Sequence, residues 1–203
     1  MSSPPPDAQR WNHNIHYHRV LLDAVPMGAR TALDIGCGGG LLVRQLAGRV
    51  EHVIGLDVDA ASIATARATP HPVNVEFILG DALTLPLERE SFDAVTAVAV
   101  LHHLDCAEGL TRMRELVRPG GMLGIVGLAA SSLPQDALWE LAAVAANVVL
   151  RARRPVWDHG APTVWPPPNT YREVRAAADA VLPGHRYRRR LLWRYTLVWH
   201  KPA

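Results

Sequence analysis

The stretch Thr31-Ala-Leu-Asp-Ile-Gly-Cys-Gly-Gly-Gly40, followed directly by Leu41-Leu-Val-Arg-Gln-Leu46, decides the fold. Thr31–Ile35 is a short apolar run suited to a buried strand, and Leu41–Ala47 has the composition of a helix. A second apolar run, Val53-Ile-Gly-Leu56, closes a strand–loop–helix–strand unit. The glycines at 36, 38 and 40 then fall between a strand end and a helix start, where they let the backbone turn tightly and approach a ligand closely.

The same rhythm continues outward from this unit. A helix is expected over about 60–68, stopped by Pro70, then a strand over Val75–Leu79. Phe92–Ala99 is apolar except for Thr96, and a helix over about 106–117 ends at Arg118-Pro-Gly-Gly121, before another buried strand, Met122–Leu128. Strands with no polar face are covered on both sides, which predicts a mostly parallel sheet between helices, an α/β fold of doubly wound, Rossmann-like type. Further on, Leu133–Leu150 is read as helical, and Pro155–Asn169 holds five prolines with Trp157 and Trp165 and is read as irregular. The segment at about 131–170 is therefore expected to be an insertion over the active site. A helix over Tyr171–Val181 and strands over Tyr187–Leu192 and Tyr195–His200 complete the chain. Residues 1–29 are assigned to a lead-in with a lid helix, and 30–203 to the domain itself.

At 203 residues the chain has the size of one domain, so a single sizeable core is expected. No apolar run reaches the roughly 18 residues of a membrane span. Met1–Asp7 is rich in Ser and Pro, with neither the basic start nor the apolar block of a secretory signal, and is expected to be a disordered lead-in. The two cysteines, Cys37 and Cys106, lack the spacing of a metal knuckle or redox pair, which favours a reduced, cytoplasmic setting and no metal. Charge is unevenly spread. Residues 1–150 carry 10 Lys and Arg against 16 Asp and Glu, whereas 151–203 carry 11 against 3.

The glycine loop is not that of a dinucleotide site, because the third glycine of that fingerprint is replaced by Leu41. Asp34 is expected at the loop mouth, where a carboxylate repels a pyrophosphate and attracts a cationic amino-acid end, so charge selects S-adenosylmethionine over NAD. Asp57 ends the next strand about 20 residues beyond the loop, in position to hold the two hydroxyls of a ribose, with Val58 flanking an adenine. Gly80-Asp81-Ala82 follows the next strand, and the Asp81 carboxylate is suited to accept a hydrogen bond from the adenine amino group. Each aspartate alone is equally suited to a helix cap or a turn; three at successive strand ends make a more specific set.

Leu33–Gly40, Asp57, Gly80–Ala82, Phe92-Asp-Ala-Val-Thr-Ala-Val-Ala-Val-Leu-His-His-Leu104 and Arg118–Gly121 together resemble the successive motifs of class I S-adenosylmethionine-dependent methyltransferases. The resemblance covers about residues 30–130 and is greatest to the subgroup similar to ubiquinone/menaquinone-biosynthesis methyltransferases. It implies a seven-stranded sheet whose last two strands form an antiparallel hairpin. It also implies that Asp34, Gly36 and Gly38, with Cys37 between them, line the methionine end, that Asp57 meets the ribose and Asp81 with Ala82 the adenine, and that Ala97 and Val98 lie beside the cofactor.

The acceptor is not fixed by these motifs. Trp11-Asn-His-Asn-Ile-His-Tyr-His18 is placed either to close over the cofactor, with the Tyr17 hydroxyl toward the methionine carboxylate and His13 toward the acceptor, or to pack Trp11, Ile15 and Val20 on the sheet edge. His102-His103 follows the fourth strand at the edge where ligands bind, and one of the pair is the candidate general base. Trp157, His159 and Trp165 are candidates to frame an acceptor pocket, or tryptophans that anchor a loop. Arg151, Arg153 and Arg154 suit either an anionic acceptor at the pocket entrance or an anionic membrane surface, whereas Arg188–Arg190 are expected to guard a sheet edge. The activity expected is methyl transfer to a small molecule, the atom methylated and the oligomeric state being open. The rivals are a methyltransferase of RNA or protein, disfavoured by brief basic runs and the lack of a nucleic-acid module, and a non-catalytic cofactor-binding scaffold.

Overall fold

In the computed structural model, which describes residues 6–157 and 165–203, the apolar runs become strands β1 (Thr31–Ile35), β2 (His52–Asp57), β3 (Val75–Leu79), β4 (Phe92–Val98), β5 (Val117–Gly127), β6 (Arg186–Arg190) and β7 (Arg194–His200). Between and before them run helices α1 (His18–Leu22), α2 (Leu41–Leu46), α3 (Ala60–Ala68), α4 (Cys106–Leu116), α5 (Ala137–Arg153) and α6 (Tyr171–Val181). The strands form one sheet in the order β3-β2-β1-β4-β5-β7-β6. Every pair from β3 to β5 is parallel, and β7 runs antiparallel to both β5 and β6. Successive strands step outward from β1 to β3, and the chain then returns to β4 on the other side of β1. That reversal opens a crevice beyond the carboxyl ends of β1 and β4.

Alternation along β1 shows how the sequence builds two cores. Leu33 and Ile35 face one side with Val95, Leu123 and Leu197, against Leu110 and Met113 of α4 and Val174 and Ala178 of α6. Ala32 faces the other side with Val53, Ala94 and Met122, against Leu21 of α1, Leu42 and Leu46 of α2, and Ile63 of α3. A leucine or isoleucine fully buried in this way contributes roughly 1.5–3 kcal/mol. Side chains fix several helix starts: Asp59 accepts from Ser62 N and Asp105 from Glu108 N, while Thr170 and Glu173 form a reciprocal capping box at α6.

Three sequence expectations are corrected. The Arg118–Gly121 turn does not precede β5 but lies within it: Val117 already pairs with Phe92, and a register irregularity with Gly120 at φ +78° precedes the pairing of Met122 with Ala94. Among its described residues the lead-in contains no single lid helix; the tract is two 3-10 turns, Asp7–Gln9 and Ile15–Tyr17, followed by the short α1. Nor is the Arg188–Arg190 run wholly an outward guard of the β6 edge. Arg189 turns inward, pairs with Asp136 and lies over the Tyr171 ring at 4.0 Å. Among the described residues no helix is long and apolar enough to cross a membrane.

Candidate active site

The site begins where β1 ends. Gly36, Gly38 and Gly40 all have positive φ, and a Cβ added at Gly36 would lie 2.2 Å from Val100 Cγ2, so this position admits only glycine. Backbone bonds hold the loop: Gly36 N and Cys37 N both donate to Leu56 O, at 2.7 and 3.0 Å. Gly38 N donates to Asp57 Oδ2 at 2.8 Å and Asp59 N to Asp57 Oδ1 at 2.9 Å. Each carboxylate oxygen keeps a lone pair for a ligand hydroxyl.

A cavity of about 760 Å³ opens over this loop at the carboxyl edge of the sheet, within the range of small-molecule sites. Gly36, Gly38, Asp57, Val58, Asp81, Ala82 and Val98 line it. The Asp81 Oδ1 accepts from Leu83 N at 2.9 Å. His102 and His103 occupy a 3-10 turn after β4 and also line the cavity, with ring centroids 4.0 Å apart. His102 Nδ1 is buried without a hydrogen-bond partner. Burial foremost, then the charges of His103 and Arg194, push this imidazole down to about 4, so it is neutral near pH 7.

The N-terminal tract and the end of α5 cover the same cavity. His13 lines it and its Nε2 lies 2.9 Å from Asn147 Oδ1 of α5, burial being the main cause that lowers its pKa. Trp157 lines it too; its backbone N donates to Trp11 O at 2.8 Å, its carbonyl accepts from Asn12 Nδ2 at 3.4 Å, and Arg10 lies 4.6 Å from its ring. These bonds join two segments more than 140 residues apart in the chain.

Other expected site residues do not line the cavity. Asp34 is 2% exposed within the sheet, its Oδ1 accepting from Thr96 Oγ1 at 2.7 Å. Burial, with a contribution from Asp57, pushes its carboxyl up to about 7. The carboxylates on the cavity wall are instead Asp57, Asp59 and Asp81. The Cys37 side chain packs with Val43 and Phe77, and burial raises its thiol well above the ordinary value. Ala97 is fully buried in the core beside Leu33 and Val95, one residue short of Val98, which lines the cavity. The Tyr17 hydroxyl donates to Leu191 O at 2.9 Å and the ring is buried in the opposite core. Trp165 is 68% exposed and away from the cavity, and His159 lies outside the described residues. Of the three arginines at the end of α5, Arg151 lines the cavity and the exposed Arg153 and Arg154 do not.

Sequence reading missed Asn12, Asn14, Asp59, Leu128, Val156 and Arg194, all on the cavity wall. Arg194 is the most informative. A search for ligand groups at the ends of strands looks at carboxyl termini, but β7 is antiparallel, so its first residue stands at that edge: Tyr195 is level with Gly127, the last residue of β5. The signal was the arginine opening an otherwise apolar closing strand, Tyr195-Thr-Leu-Val-Trp199. The cavity is thus electrically divided, with carboxylates at the ends of β2 and β3 and arginines at the start of β7 and the end of α5.

Residues 33–125 match the model of a methyltransferase domain. An uncharacterised methyltransferase of Mycobacterium tuberculosis is 38% identical over 196 residues, 96% of this chain and 99% of the relative. A 2-phytyl-1,4-naphthoquinone methyltransferase of Thermosynechococcus vestitus is 38% identical over 125 residues, covering 58% of this chain and 55% of that protein. In fold, the chain is similar to the phosphoethanolamine N-methyltransferase 2 of Haemonchus contortus, solved with phosphomonomethylethanolamine and S-adenosylhomocysteine. The TM-score is 0.65 at 16% identity, over 93% of this chain and 53% of that one.

Proposed function

The chain belongs to the class I S-adenosylmethionine-dependent methyltransferases, and from that premise we propose that its cavity transfers the cofactor's methyl group to a small-molecule acceptor. The observation that carries this reading is the convergence of Gly36, Gly38, Asp57 and Asp81 on one cavity at the sheet reversal, with a separate basic wall opposite them. The residues fit the cofactor. The glycine backbone leaves room at the loop, Asp57 retains acceptor lone pairs for ribose hydroxyls, and Asp81 retains them for an adenine amino group, with Val58 and Ala82 flanking the base. The three wall carboxylates favour a ligand with a cationic end over a dinucleotide pyrophosphate.

When bound, S-adenosylmethionine supplies an electrophilic methyl group on a sulfonium that is already a good leaving group. The chain therefore chiefly orients the acceptor and keeps water out. Trp157, Val156 and Leu128 give the acceptor end apolar walls, and the hydrogen-bonded joint between residues 11–13, Asn147 and Trp157 acts as its lid. His102 lines the cavity as an uncharged ring and is placed to accept a proton from an acceptor that must lose one; its Nδ1 is enclosed, which leaves Nε2 to meet the acceptor.

Calorimetric titration tests the reading. S-adenosylmethionine and S-adenosylhomocysteine should bind and NAD should not, and S-adenosylhomocysteine should accumulate with acceptors from a metabolite panel. Absence of binding by either sulfur nucleoside would overturn it.

A further inference from the structure

Arg194 presents a charge that the described residues leave uncompensated. It opens β7 and is partly buried, its side chain forming part of the cavity wall. Its Nε donates to Asn14 Oδ1 at 2.7 Å, and one terminal nitrogen, Nη1, donates to the carbonyls of Leu192 and Trp193 at 3.3 and 3.2 Å. All of these acceptors are neutral. No carboxylate among the described residues forms an ion pair with it, whereas the enclosed Arg10, Arg44 and Arg189 each meet an aspartate. Its other terminal nitrogen, Nη2, has no hydrogen bond to the described residues.

A guanidinium removed from bulk water and given no counter-charge is costly, and enclosure lowers its affinity for the proton to a pKa of about 10. Its field reaches His13 and His102, lowering the pKa of both, so the charge acts on the cavity and is not absorbed locally. Three neutral contacts fix the planar group in one orientation, the preparation that two-point recognition of a carboxylate or phosphate requires. Position sets this charge apart from the glycine loop. Between the glycine loop of β1 and Arg194 of β7 lie β4 and β5, three strand spacings or about 14 Å, more than an arginine side chain spans. Arg151, at the end of α5, adds a second cation to the same end of the cavity.

We propose that Arg194, oriented by Asn14, receives an anionic group of the methyl acceptor, so that the acceptors are small acids bearing a carboxylate or phosphate; this rests on the reading of the cavity as the methyl-transfer site. The lid then contributes to selection as well as covering, since Asn14 belongs to the N-terminal tract and fixes the guanidinium only when that tract is seated.

The test uses the whole protein saturated with S-adenosylhomocysteine and three probes of similar shape: benzoate, phenyl phosphate and neutral benzamide. Benzoate or phenyl phosphate should bind the wild type at least tenfold more tightly than benzamide. Arg194→Gln should abolish that preference while leaving the affinity for S-adenosylhomocysteine within twofold. Arg194→Lys should retain part of the preference. Which of the two anions binds more tightly decides between a carboxylate and a phosphate. Equal binding of all three probes by the wild type overturns the proposal, as does an unchanged anion preference in Arg194→Gln. A loss of S-adenosylhomocysteine affinity in that variant also overturns it, because the arginine would then serve the cofactor. If Arg194→Gln does not fold, ¹⁵N spectra of arginine side chains in the wild type replace it. Benzoate should shift the Nε–H signal that is missing in Arg194→Lys, and an unshifted signal overturns the proposal. Failure of the wild type to bind S-adenosylhomocysteine at all is a different result, which overturns the reading of the site itself and with it this inference.

Discussion

The amide of Gly38 donates to the Asp57 carboxylate at 2.8 Å, so the loop after β1 is fastened by the residue that ends β2. Asp57 has two tasks in consequence, one toward the loop and one toward the cavity. Asp57→Ala should weaken S-adenosylhomocysteine binding by about 1.5–3 kcal/mol, the scale of hydrogen bonds to a charged group. Asp57→Asn keeps one acceptor oxygen and should fall between. Hydrogen exchange of the Gly38 amide separates the two tasks: it should quicken in Asp57→Ala even without ligand, and equal exchange in variant and wild type would show that the carboxylate does not hold the loop.

Gly36 and Val100 meet where the β1 loop passes the segment after β4, and the space between them excludes even one methyl group. Gly36→Ala combines that contact with an L side chain at φ +67°, and should cost about 1–3 kcal/mol in stability and most of the cofactor affinity. Adding Val100→Ala should recover the steric part but not the backbone part. Denaturant midpoints of the single and double variants measure the division; a double variant no more stable than Gly36→Ala would mean that the valine is not the obstacle.

Much of this architecture is legible in the sequence because its signals are local. The run Thr31–Gly40 names a strand, its loop and the helix that follows, and Thr170-Tyr-Arg-Glu173 announces its own cap. Asp57 and Asp81 stand on the cavity wall where strand ends predict them. What could not be read depends on side-chain direction or on distant pairing. Asp34 and Ala97 each stop one residue short of the position that reaches the cavity, Ile35 on β1 and Val98 on β4, and stay enclosed within the sheet. The joint between Asn12 and Trp157 spans 145 residues and leaves no pattern in either segment, while Arg194 reaches the site only because β7 runs against its neighbours.

Asp34 makes stability depend on pH in an unusual direction for an aspartate. Its folded pKa, about 7, lies above the ordinary value of 3.8, so the native state favours the protonated form. That contribution is fully present below about pH 4 and is lost as pH rises through about 7, the unfolded chain releasing its proton first. The shift corresponds to a contribution on the order of 4 kcal/mol across that window. Asp34→Asn mimics the protonated acid and can still accept from Thr96, so its stability relative to the wild type should increase between pH 5 and 8 by this mechanism, as read from denaturant midpoints at each pH. A constant difference between the two proteins would mean that Asp34 is ionised in the fold throughout.

His102 offers the sharpest test of the chemistry. Its pKa of about 4 leaves the ring neutral over the ordinary working range, with an unpartnered Nδ1 and a place on the cavity wall. A histidine depressed in this way is always ready to accept a proton but is a weak base, so it suits an acceptor whose proton becomes acidic as the methyl bond forms, such as a phenol. If it serves as base, kcat should be level from about pH 6 to 8 and fall as the ring is protonated below about pH 5. His102→Gln should then lower kcat by about 10²–10⁴-fold without changing the affinity for S-adenosylhomocysteine. His103, beside it on the same turn, provides the control, since His103→Gln should keep the low-pH limb and move it upward, as the charge that helps to depress His102 is lost. A kcat that climbs through pH 6 to 7 would assign the proton to another group. A fully active His102→Gln enzyme would instead mean that the acceptor enters already ionised, as a carboxylate held by Arg194 and methylated on its own oxygen would.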